Sequence, residues 1–368
     1  MKKYPLTFDS IGKQERSEAI KSLISGRYTM GDKVKQFESL FAKWVGAKYA
    51  VMVNSGSSAN LLMVESLLRG TRNKYLKKGD EVIVPALAWP TTIWPVVQLG
   101  LKPVFVDSNM DDLSIDFDRL QKTITKKTKA LFLIHVLGNH ANMKKALNFC
   151  KKNKIILLED CCESLGAFSR KKHVGTFGLA GSFSFYFAHH LTTIEGGCIV
   201  TNEKKLAEDL RSFRAHGWIR DRKDKLQLVK KYPQLDEKFL FLTTGYNVRP
   251  TEFQAAIGLV QLKKLGSSLS RRDEMVKKIQ KILLNYPSLE ILGSRKIVNF
   301  KINNKNMRTH SWMNLPLYFK EKSENKLSKI IKILNKVGIE TRPIIAGNML
   351  KHPALKNFEF RVGNNLII

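Results

Sequence analysis

Cysteine is scarce in this chain of 368 residues, which contains only four. They stand at Cys150, Cys161, Cys162 and Cys198, and no two of them form a Cys-X-X-Cys pair. Four cysteines are too few to cross-link a chain of this length in the way that small secreted domains are cross-linked. The sequence therefore predicts a protein of a reducing compartment.

Long hydrophobic runs are also lacking. No apolar stretch reaches the roughly 18 residues that a membrane-spanning helix needs. The N-terminus, MKKYPLTFDS, lacks the apolar segment of a secretory signal peptide. We therefore expect a soluble, cytoplasmic protein that has no membrane partner.

Acidic residues are outnumbered, because 32 Asp and Glu face 63 Lys and Arg, which gives a formal net charge of +31. Such an excess can indicate a nucleic-acid partner. The lysines are spread through helix-like segments such as KKLAEDLR and RRDEMVKKIQK, whose solvated faces normally carry them. No recognition helix, zinc knuckle or interleaved aromatic pattern accompanies them. We interpret the charge as a compositional bias, expect no nucleic-acid partner, and note that a nucleotide diphosphate would benefit from the positive field.

Short apolar runs alternate with helix-like stretches from about Lys48 to Val200. This pattern is typical of an α/β fold, in which helices cover both faces of a mostly parallel sheet. Hydrophobic residues make up 43% of the chain, which is enough for a large core. The seven predicted strands span residues 49–53, 81–85, 102–107, 129–136, 154–160, 181–186 and 196–201.

The pattern changes after Thr201. A charged helix precedes an irregular stretch, and a further helix is predicted over residues 251–265. We divide the chain into a large domain with an N-terminal arm, residues 1–266, and a smaller C-terminal α+β domain, residues 267–368. The last residues, RVGNNLII, read as the beginning of another helix, so we expect the smaller domain to be truncated.

Two segments place small or acidic residues where an α/β sheet binds ligands. The segment NSGSSAN, residues 54–60, lies between a predicted strand and a helix, where backbone N–H groups can bind an anion. A plain helix cap explains the same residues equally well. Asp160 ends a buried strand, and ligands bind at the carboxyl ends of such strands. A helix cap is again the alternative.

Two adjacent histidines, His189 and His190, follow the predicted strand at residues 181–186. Consecutive side chains diverge, and no third ligand stands at the usual zinc spacing. We therefore disfavour a metal site at this position.

The order of the motifs resembles the sugar aminotransferases of the aspartate-aminotransferase fold, the DegT/DnrJ/EryC1/StrS family. The resemblance implies an α/β protein of fold type I that uses pyridoxal phosphate. It places His189 where the family normally has the lysine that bonds the cofactor. The shared segments are, in chain order, SGSSAN, PALAWPTT, LLEDCCESLGA, GTFGLAGSFSFY, EGG, FRAHGW and GYNVRP.

The resemblance also implies roles for the matched residues. His189 would be the catalytic acid and base, and Asp160 would bind the ring nitrogen of the cofactor. Glu163 would lie near the ring hydroxyl, and Trp89 would stack on the ring. The implied phosphate ligands are Gly56, Ser57, Ser184 and Asn247, the last from the second subunit of a homodimer.

Arginines near the motifs are candidates for substrate contacts. His216 and Arg220, in RAHGWIR, are candidates for binding the amino donor or the sugar, because a guanidinium can bond two oxygens of a carboxylate or pyrophosphate at once. A surface arginine beside a packed histidine is the alternative. Arg249 and Arg342 are weaker candidates, and we place Arg342 at a dimer or domain interface.

The exchange of lysine for histidine determines the expected chemistry. An aminotransferase needs an amine at this position, whereas an imidazole, with a pKa of about 6.5, can act as acid or base. The resemblance therefore implies a 3-dehydratase of a nucleotide-linked 4-keto-6-deoxyhexose, with L-glutamate as amino donor. The pyridoxal phosphate would cycle to pyridoxamine phosphate. Such a reaction belongs to deoxysugar and cell-surface polysaccharide biosynthesis.

Three alternatives stay open. An iron–sulfur-dependent relative would need four suitably spaced cysteines, and the spacing here leads us to expect no cluster. An aminotransferase would have to recruit another lysine, and none lies between Lys172 and Lys204. A sensor that binds a sugar nucleotide without turnover would not need Asp160 as a partner for the ring nitrogen.

Overall fold

The computed structural model describes residues 3–70, 75–293, 299–302, 305–320 and 324–363. Seven of its fourteen described β-strands coincide with the apolar runs predicted between residues 49 and 201. The strands are β1 (Tyr49–Val53), β2 (Glu81–Pro85), β3 (Lys102–Val106), β4 (Thr128–Ile134), β5 (Ile156–Asp160), β6 (Phe168–Ser169), β7 (Lys172–His173), β8 (Ala180–Ser184), β9 (Gly197–Thr201), β10 (Leu289–Ile291), β11 (Asn299–Ile302), β12 (Lys305–Arg308), β13 (Leu317–Phe319) and β14 (Arg361–Val362).

Nine α-helices fall within the described residues. None of them is both long enough and apolar enough to cross a membrane. The helices are α1 (Lys13–Ile24), α2 (Asp32–Val45), α3 (Gly56–Arg69), α4 (Pro90–Gln98), α5 (Met143–Asn153), α6 (Lys204–Phe213), α7 (Lys225–Val229), α8 (Glu252–Leu283) and α9 (Glu324–Lys336).

One large sheet forms the centre of the structure, with the strand order β1-β9-β8-β5-β4-β2-β3-β14. β9 runs antiparallel to both of its neighbours, and the other pairs are parallel. The seven predicted strands and the predicted α/β class are confirmed. The sheet has eight strands rather than seven because β14, near the C-terminus, pairs with β3.

Helices cover both faces of this sheet. In β1, Val51 and Val53 belong to the core under α3 and α6, whereas Ala50 and Met52 belong to the core under α2 and α8. Alternate side chains of a strand point to opposite faces, so a strand buried on both sides must be apolar at every position. This requirement explains why the strands could be read as continuous apolar runs.

The predicted break between two helices near residue 266 is wrong. Residues 252–283 form the single helix α8, which begins with a capping box between Thr251 and Gln254. Gly266 lies within it, and one glycine costs a helix only about 1 kcal/mol. The buried residues of the first half of α8 outweigh that cost.

The division of the chain into two domains at residue 266 stays a prediction. Residues that we assigned to the smaller domain nevertheless contact the large sheet. Ile345, Met349 and Leu355 belong to its core, and the Met349 N–H donates a hydrogen bond to the carbonyl of Ala86 at 2.9 Å. The helix expected over the last residues, 361–368, does not begin where it was predicted, because Arg361 and Val362 form β14; residues 364–368 lie outside the described residues.

Gly138 generates a prediction about stability. Its φ is +97°, and a Cβ there would lie 2.4 Å from the backbone nitrogen of Trp312. Gly79, with a φ of +83°, has no atom within 4 Å of such a Cβ, so it is a matched control. We expect Gly79→Ala to lose about 1 kcal/mol from backbone strain, and Gly138→Ala to lose about 1–3 kcal/mol more from the clash. Urea unfolding measures both losses, and equal losses would contradict the packing described here.

Candidate active site

Asp160, at the carboxyl end of β5, has a buried carboxylate that accepts hydrogen bonds from three parts of the chain. Its Oδ2 accepts from Asn60 Nδ2 at 2.8 Å and from Thr92 Oγ1 at 2.7 Å. Its Oδ1 accepts from the N–H of Cys162 at 3.1 Å. Donors from α3, α4 and the following turn therefore fix the carboxylate in one orientation at the edge where ligands bind.

The turn that begins α3 is packed tightly against the ends of β8 and β9. Ser55 caps the helix by accepting from the Ser58 N–H at 3.0 Å. A Cβ on Gly56 would lie 2.6 Å from the Cβ of Ser184, and a Cβ on Gly197 would lie 2.2 Å from the carbonyl oxygen of Ser55. Only glycines fit these positions, and they bring the start of α3 and Ser184 together. Ser57 is exposed on the same first turn, where free N–H groups can bind an anion.

His189 lies in the turn after β8, with its ring edge-on to Tyr186 at a centroid distance of 5.9 Å. Its Nδ1 is buried and has no hydrogen-bond partner within the described part of the chain. Burial lowers the pKa of His189 to about 4, the charge of Asp160 acts in the opposite direction, and Arg272 lowers it further. The imidazole is therefore neutral at neutral pH and can accept a proton.

His190 points into the structure. Its Nε2 lies 3.0 Å from the carbonyl oxygen of Ser311, and the ring is buried. Burial lowers the pKa of His190 well below its usual range, and the charge of Arg272 acts in the same direction. The ring is thus neutral, and Nε2–H donates to Ser311. The two adjacent histidines serve different parts of the fold, because consecutive side chains diverge.

Glu163 has a carboxyl group that is half-buried beside Asp160. Its Oε2 accepts a hydrogen bond from the N–H of Leu137 at 2.9 Å. Burial raises the pKa of Glu163 to about 7, and the charge of Asp160 raises it further, whereas the Leu137 hydrogen bond and the charge of Arg342 lower it. Near neutral pH this carboxyl can therefore donate or accept a proton.

Trp89 precedes α4, and its side chain is 49% exposed. The guanidinium of Arg342 lies 5.6 Å from its ring centroid, and Nη2 of Arg342 donates to the carbonyl of Ile345 at 3.0 Å. Because Arg342 also acts on the pKa of Glu163, the structure brings this arginine to the site. From the sequence, Arg342 was a weaker candidate for a substrate contact and was placed at a dimer or domain interface.

Asn60 and Thr92 were missed by the sequence analysis, although both lie in the segments that carry the family resemblance. Asn60 ends the motif SGSSAN, and Thr92 lies in PALAWPTT. Each is a polar residue near the beginning of a helix whose buried residues are mostly apolar, which was the available signal. In the structure their buried side chains hold Asp160.

Asn247, His216 and Arg220 are exposed, and no hydrogen bond connects them with Asp160, His189 or Glu163 in the described part of the chain. They are near one another, however. Asn247 forms a β-bridge with Ala215, and the His216 N–H donates to the carbonyl of Tyr246 at 2.8 Å. The Asn54 N–H donates to the carbonyl of Val248, so this region adjoins the turn that begins α3.

Beneath the site, ligand-type atoms of His135, Glu159 and Cys161 lie within 4.8 Å of one another. The protein itself already satisfies the ligand-type atoms of His135 and Glu159. Glu159 accepts from Nε2 of His135 and from the backbone N–H groups of residues 175, 177 and 178, and Nδ1 of His135 accepts from the Ala141 N–H. We interpret the cluster as a structural network below the sheet edge.

Comparison with known proteins identifies the family. Residues 9–365 match the DegT/DnrJ/EryC1/StrS aminotransferase family. The chain belongs to this family. The predicted family and its fold are thereby confirmed.

One curated relative and two solved structures are similar over nearly the whole chain. GDP-4-keto-6-deoxy-D-mannose 3-dehydratase of Escherichia coli O55:H7 is 41% identical over 370 residues, which are 99% of this chain and 91% of the relative. A solved structure of the E. coli enzyme with bound hydrated PLP is also 41% identical, with a TM-score of 0.90 over 100% of this chain and 92% of that one. A structure of GDP-4-keto-6-deoxymannose-3-dehydratase with a trapped PLP–glutamate geminal diamine is 39% identical, with a TM-score of 0.87 over 99% of this chain and 92% of that one.

The raised pKa of Glu163 predicts a pH-dependent difference in stability between the wild type and Glu163→Gln. The folded protein binds the proton of Glu163 more tightly than the unfolded chain does, whose Glu pKa is about 4.3. The wild type should therefore lose stability as the pH rises through the folded value, whereas the amide cannot ionise and should avoid this loss.

Urea unfolding between about pH 4 and pH 8 measures this effect. The stability of Glu163→Gln relative to wild type should rise across this interval. Glu274→Gln is the control, because Glu274 is an exposed carboxyl on α8. A difference between Glu163→Gln and wild type that does not change with pH would contradict the assignment.

Proposed function

We propose that this chain is a pyridoxal-phosphate-dependent 3-dehydratase of GDP-4-keto-6-deoxymannose or a close analogue, with L-glutamate as amino donor. Support comes from similarity to 3-dehydratases over nearly the whole chain and from the structure of one of them with a PLP–glutamate adduct. The observation that carries the proposal is a neutral imidazole, His189, near Asp160 where the family normally has its cofactor-bonding lysine. We further propose that the reaction takes place in the cytoplasm and serves cell-surface polysaccharide biosynthesis.

The residues at the site fit a phosphorylated pyridine cofactor. The glycine at position 56 lets the first turn of α3 approach Ser184, and the exposed N–H groups of that turn suit a phosphate. The fixed carboxylate of Asp160 suits a protonated ring nitrogen, and the exposed ring of Trp89 offers a stacking face. When bound, the cofactor supplies an electron sink for a carbanion formed beside its ring.

We assign the other site residues to roles around that ring. Glu163 would bind the ring hydroxyl, because its carboxyl can hold or release a proton near neutral pH. Ser57 and Ser184 would bind the phosphate together with Gly56. Asn247 would bind the phosphate from the second subunit. His216 and Arg220 would contact the amino donor or the sugar.

His189 would move the proton in the dehydration step. A neutral imidazole can take a proton from a carbon atom. Once charged, it can give a proton to the hydroxyl oxygen that departs from C3 of the sugar. The hydroxyl then leaves as water, which is a far better leaving group than hydroxide. Burial keeps the imidazole neutral beforehand, and the nearby carboxylate of Asp160 favours the charged form that follows.

We propose a homodimer as the working assembly. Large apolar side chains are exposed in the N-terminal arm and on α1, and such a surface usually has a partner. Asn247 is exposed as well, as a residue that reaches a second subunit would be. The exposed apolar residues of the arm and α1 are Tyr4, Leu6, Phe8, Ile20, Leu23 and Ile24.

Mass spectrometry of the products tests the proposed reaction directly. The protein is loaded with pyridoxal phosphate and incubated with L-glutamate and GDP-4-keto-6-deoxymannose. The proposal requires the sugar to lose one oxygen, while glutamate becomes its 2-keto acid and ammonia is released, so that the atoms balance. An amino sugar would instead indicate an aminotransferase. No change in any 4-keto-6-deoxy sugar nucleotide would favour a sensor.

Replacement of His189 by Asn gives the sharpest mutational prediction. Loss of a general acid and base typically lowers the rate by about 10²–10⁴-fold, so kcat for deoxygenation should fall by that order. The cofactor absorbance should persist, because no covalent bond is removed. His352→Asn is the control, since His352 is an exposed histidine near the C-terminus. A His189→Asn protein with wild-type turnover would eliminate the proposed role.

A further inference from the structure

Two segments between α6 and α8, residues 216–220 and 239–242, pair as a short antiparallel ribbon. Trp218 and Phe241 form its β-bridge, and backbone hydrogen bonds lie on both sides of that pair. In such a pairing, residues directly opposite each other lie on the same face, and every second residue along a strand returns to that face. The ribbon therefore has one inner and one outer face.

The two faces of the ribbon differ sharply in exposure. Ile219 and Leu240 are buried and belong to the inner face. Trp218, Phe239 and Phe241 lie on the outer face, where the Trp218 ring is nearly parallel to both phenyl rings. Its centroid lies 5.8 Å from that of Phe241 and 6.5 Å from that of Phe239, with interplanar angles of 26° and 8°.

A cation completes this outer face. The guanidinium carbon of Arg220 lies 5.1 Å from the Trp218 ring centroid. Phe239 is 65% exposed and Phe241 is 50% exposed. We call these four side chains, Trp218, Arg220, Phe239 and Phe241, the aromatic platform. Parallel aromatic rings left open to water and joined to a guanidinium indicate a binding surface rather than a solvated face.

The platform is held in place by buried ion pairs. Arg222, two residues after Arg220, contacts Asp209 of α6 at 3.0 Å and Asp224 at 2.7 Å. The indole N–H of Trp218 donates to the carbonyl of Lys238 at 2.8 Å. These bonds order the platform before any ligand binds, which lowers the entropic cost of binding.

The platform is connected to the candidate active site through paired segments of backbone. Asn54, beside the turn that begins α3, bonds to Val248, and the adjacent Asn247 bridges to Ala215 at the start of the ribbon. The His216 N–H donates to the carbonyl of Tyr246, so the ribbon continues directly from the segment that carries Asn247.

We infer that the aromatic platform binds the nucleobase of the sugar nucleotide. This inference rests on the proposed function, because a sugar that reacts near Asp160 must hold its diphosphate and base farther out. Aromatic rings stack on the face of a base, and Arg220 places a positive charge over the Trp218 ring, which suits an anionic nucleotide. His216, on the same segment, lies between the platform and the turn that begins α3.

A titration of GDP into the cofactor-loaded protein tests the inference, with inorganic pyrophosphate as the ligand that lacks a base. Base–aromatic stacking is worth about 1–3 kcal/mol, so Phe239→Ala should weaken GDP binding roughly 5- to 150-fold. Pyrophosphate affinity should not change, and Phe239→Trp should retain GDP binding. The control is Leu226→Ala, because Leu226 is 74% exposed on α7 but lies outside the platform.

The outcomes separate this inference from the proposed function. In turnover, Phe239→Ala should raise KM for the sugar nucleotide and leave kcat unchanged. Wild-type GDP affinity in Phe239→Ala would overturn the inference while the dehydratase proposal stands. Conversely, a wild-type protein that binds GDP through Phe239 but never deoxygenates the sugar would overturn only the dehydratase. If Phe239→Ala changes the oligomeric state in sedimentation, a second copy occupies the platform and the inference fails.

Discussion

The hydrogen bonds to the carboxylate of Asp160 are the interaction on which the site depends. They join the end of β5 to α3 through Asn60 and to α4 through Thr92. The same two helices begin with the other parts of the site, because α3 starts at the turn that contains Gly56 and α4 follows Trp89. One buried carboxylate therefore sets the relative positions of the turn that begins α3, the exposed ring of Trp89 and its own negative charge at the end of β5.

Burial then decides what the neighbouring ionisable groups can do. The same loss of solvent lowers the pKa of His189 to about 4 and raises that of Glu163 to about 7. Burial thereby favours the uncharged form of both groups. The nearby charge of Asp160 raises the pKa of each of them. A neutral base and a protonated acid beside one fixed carboxylate are suited to proton transfer during loss of a hydroxyl.

Sequence alone was sufficient where one local pattern determined the structure. The strands of the large sheet were predictable because burial on both faces leaves only apolar residues in them. The continuation of α8 through Gly266 was not predictable, since the packing of the first half of α8 decides whether the helix continues. β14 was not predictable either, because it has only two residues, too few to show a strand pattern. Arg342 and Trp89 are 253 positions apart (342 minus 89), and only the fold brings them together. The aromatic platform depends on a ribbon whose two segments, residues 216–220 and 239–242, are separated by a stretch that contains α7. The alternation of inner and outer residues in so short a ribbon could not be recognised in the sequence.

The proposed role of His189, at the position where the family normally has its cofactor-bonding lysine, requires the chain to hold its cofactor by contacts alone and without a covalent bond. Borohydride reduction of the resting, cofactor-loaded protein, followed by peptide mapping, tests this most directly. The mechanism described here predicts that no peptide carries a reduced pyridoxyl group and that the cofactor is recovered free. A pyridoxyl-lysine in any peptide would contradict it, because that lysine would restore the chemistry of an aminotransferase.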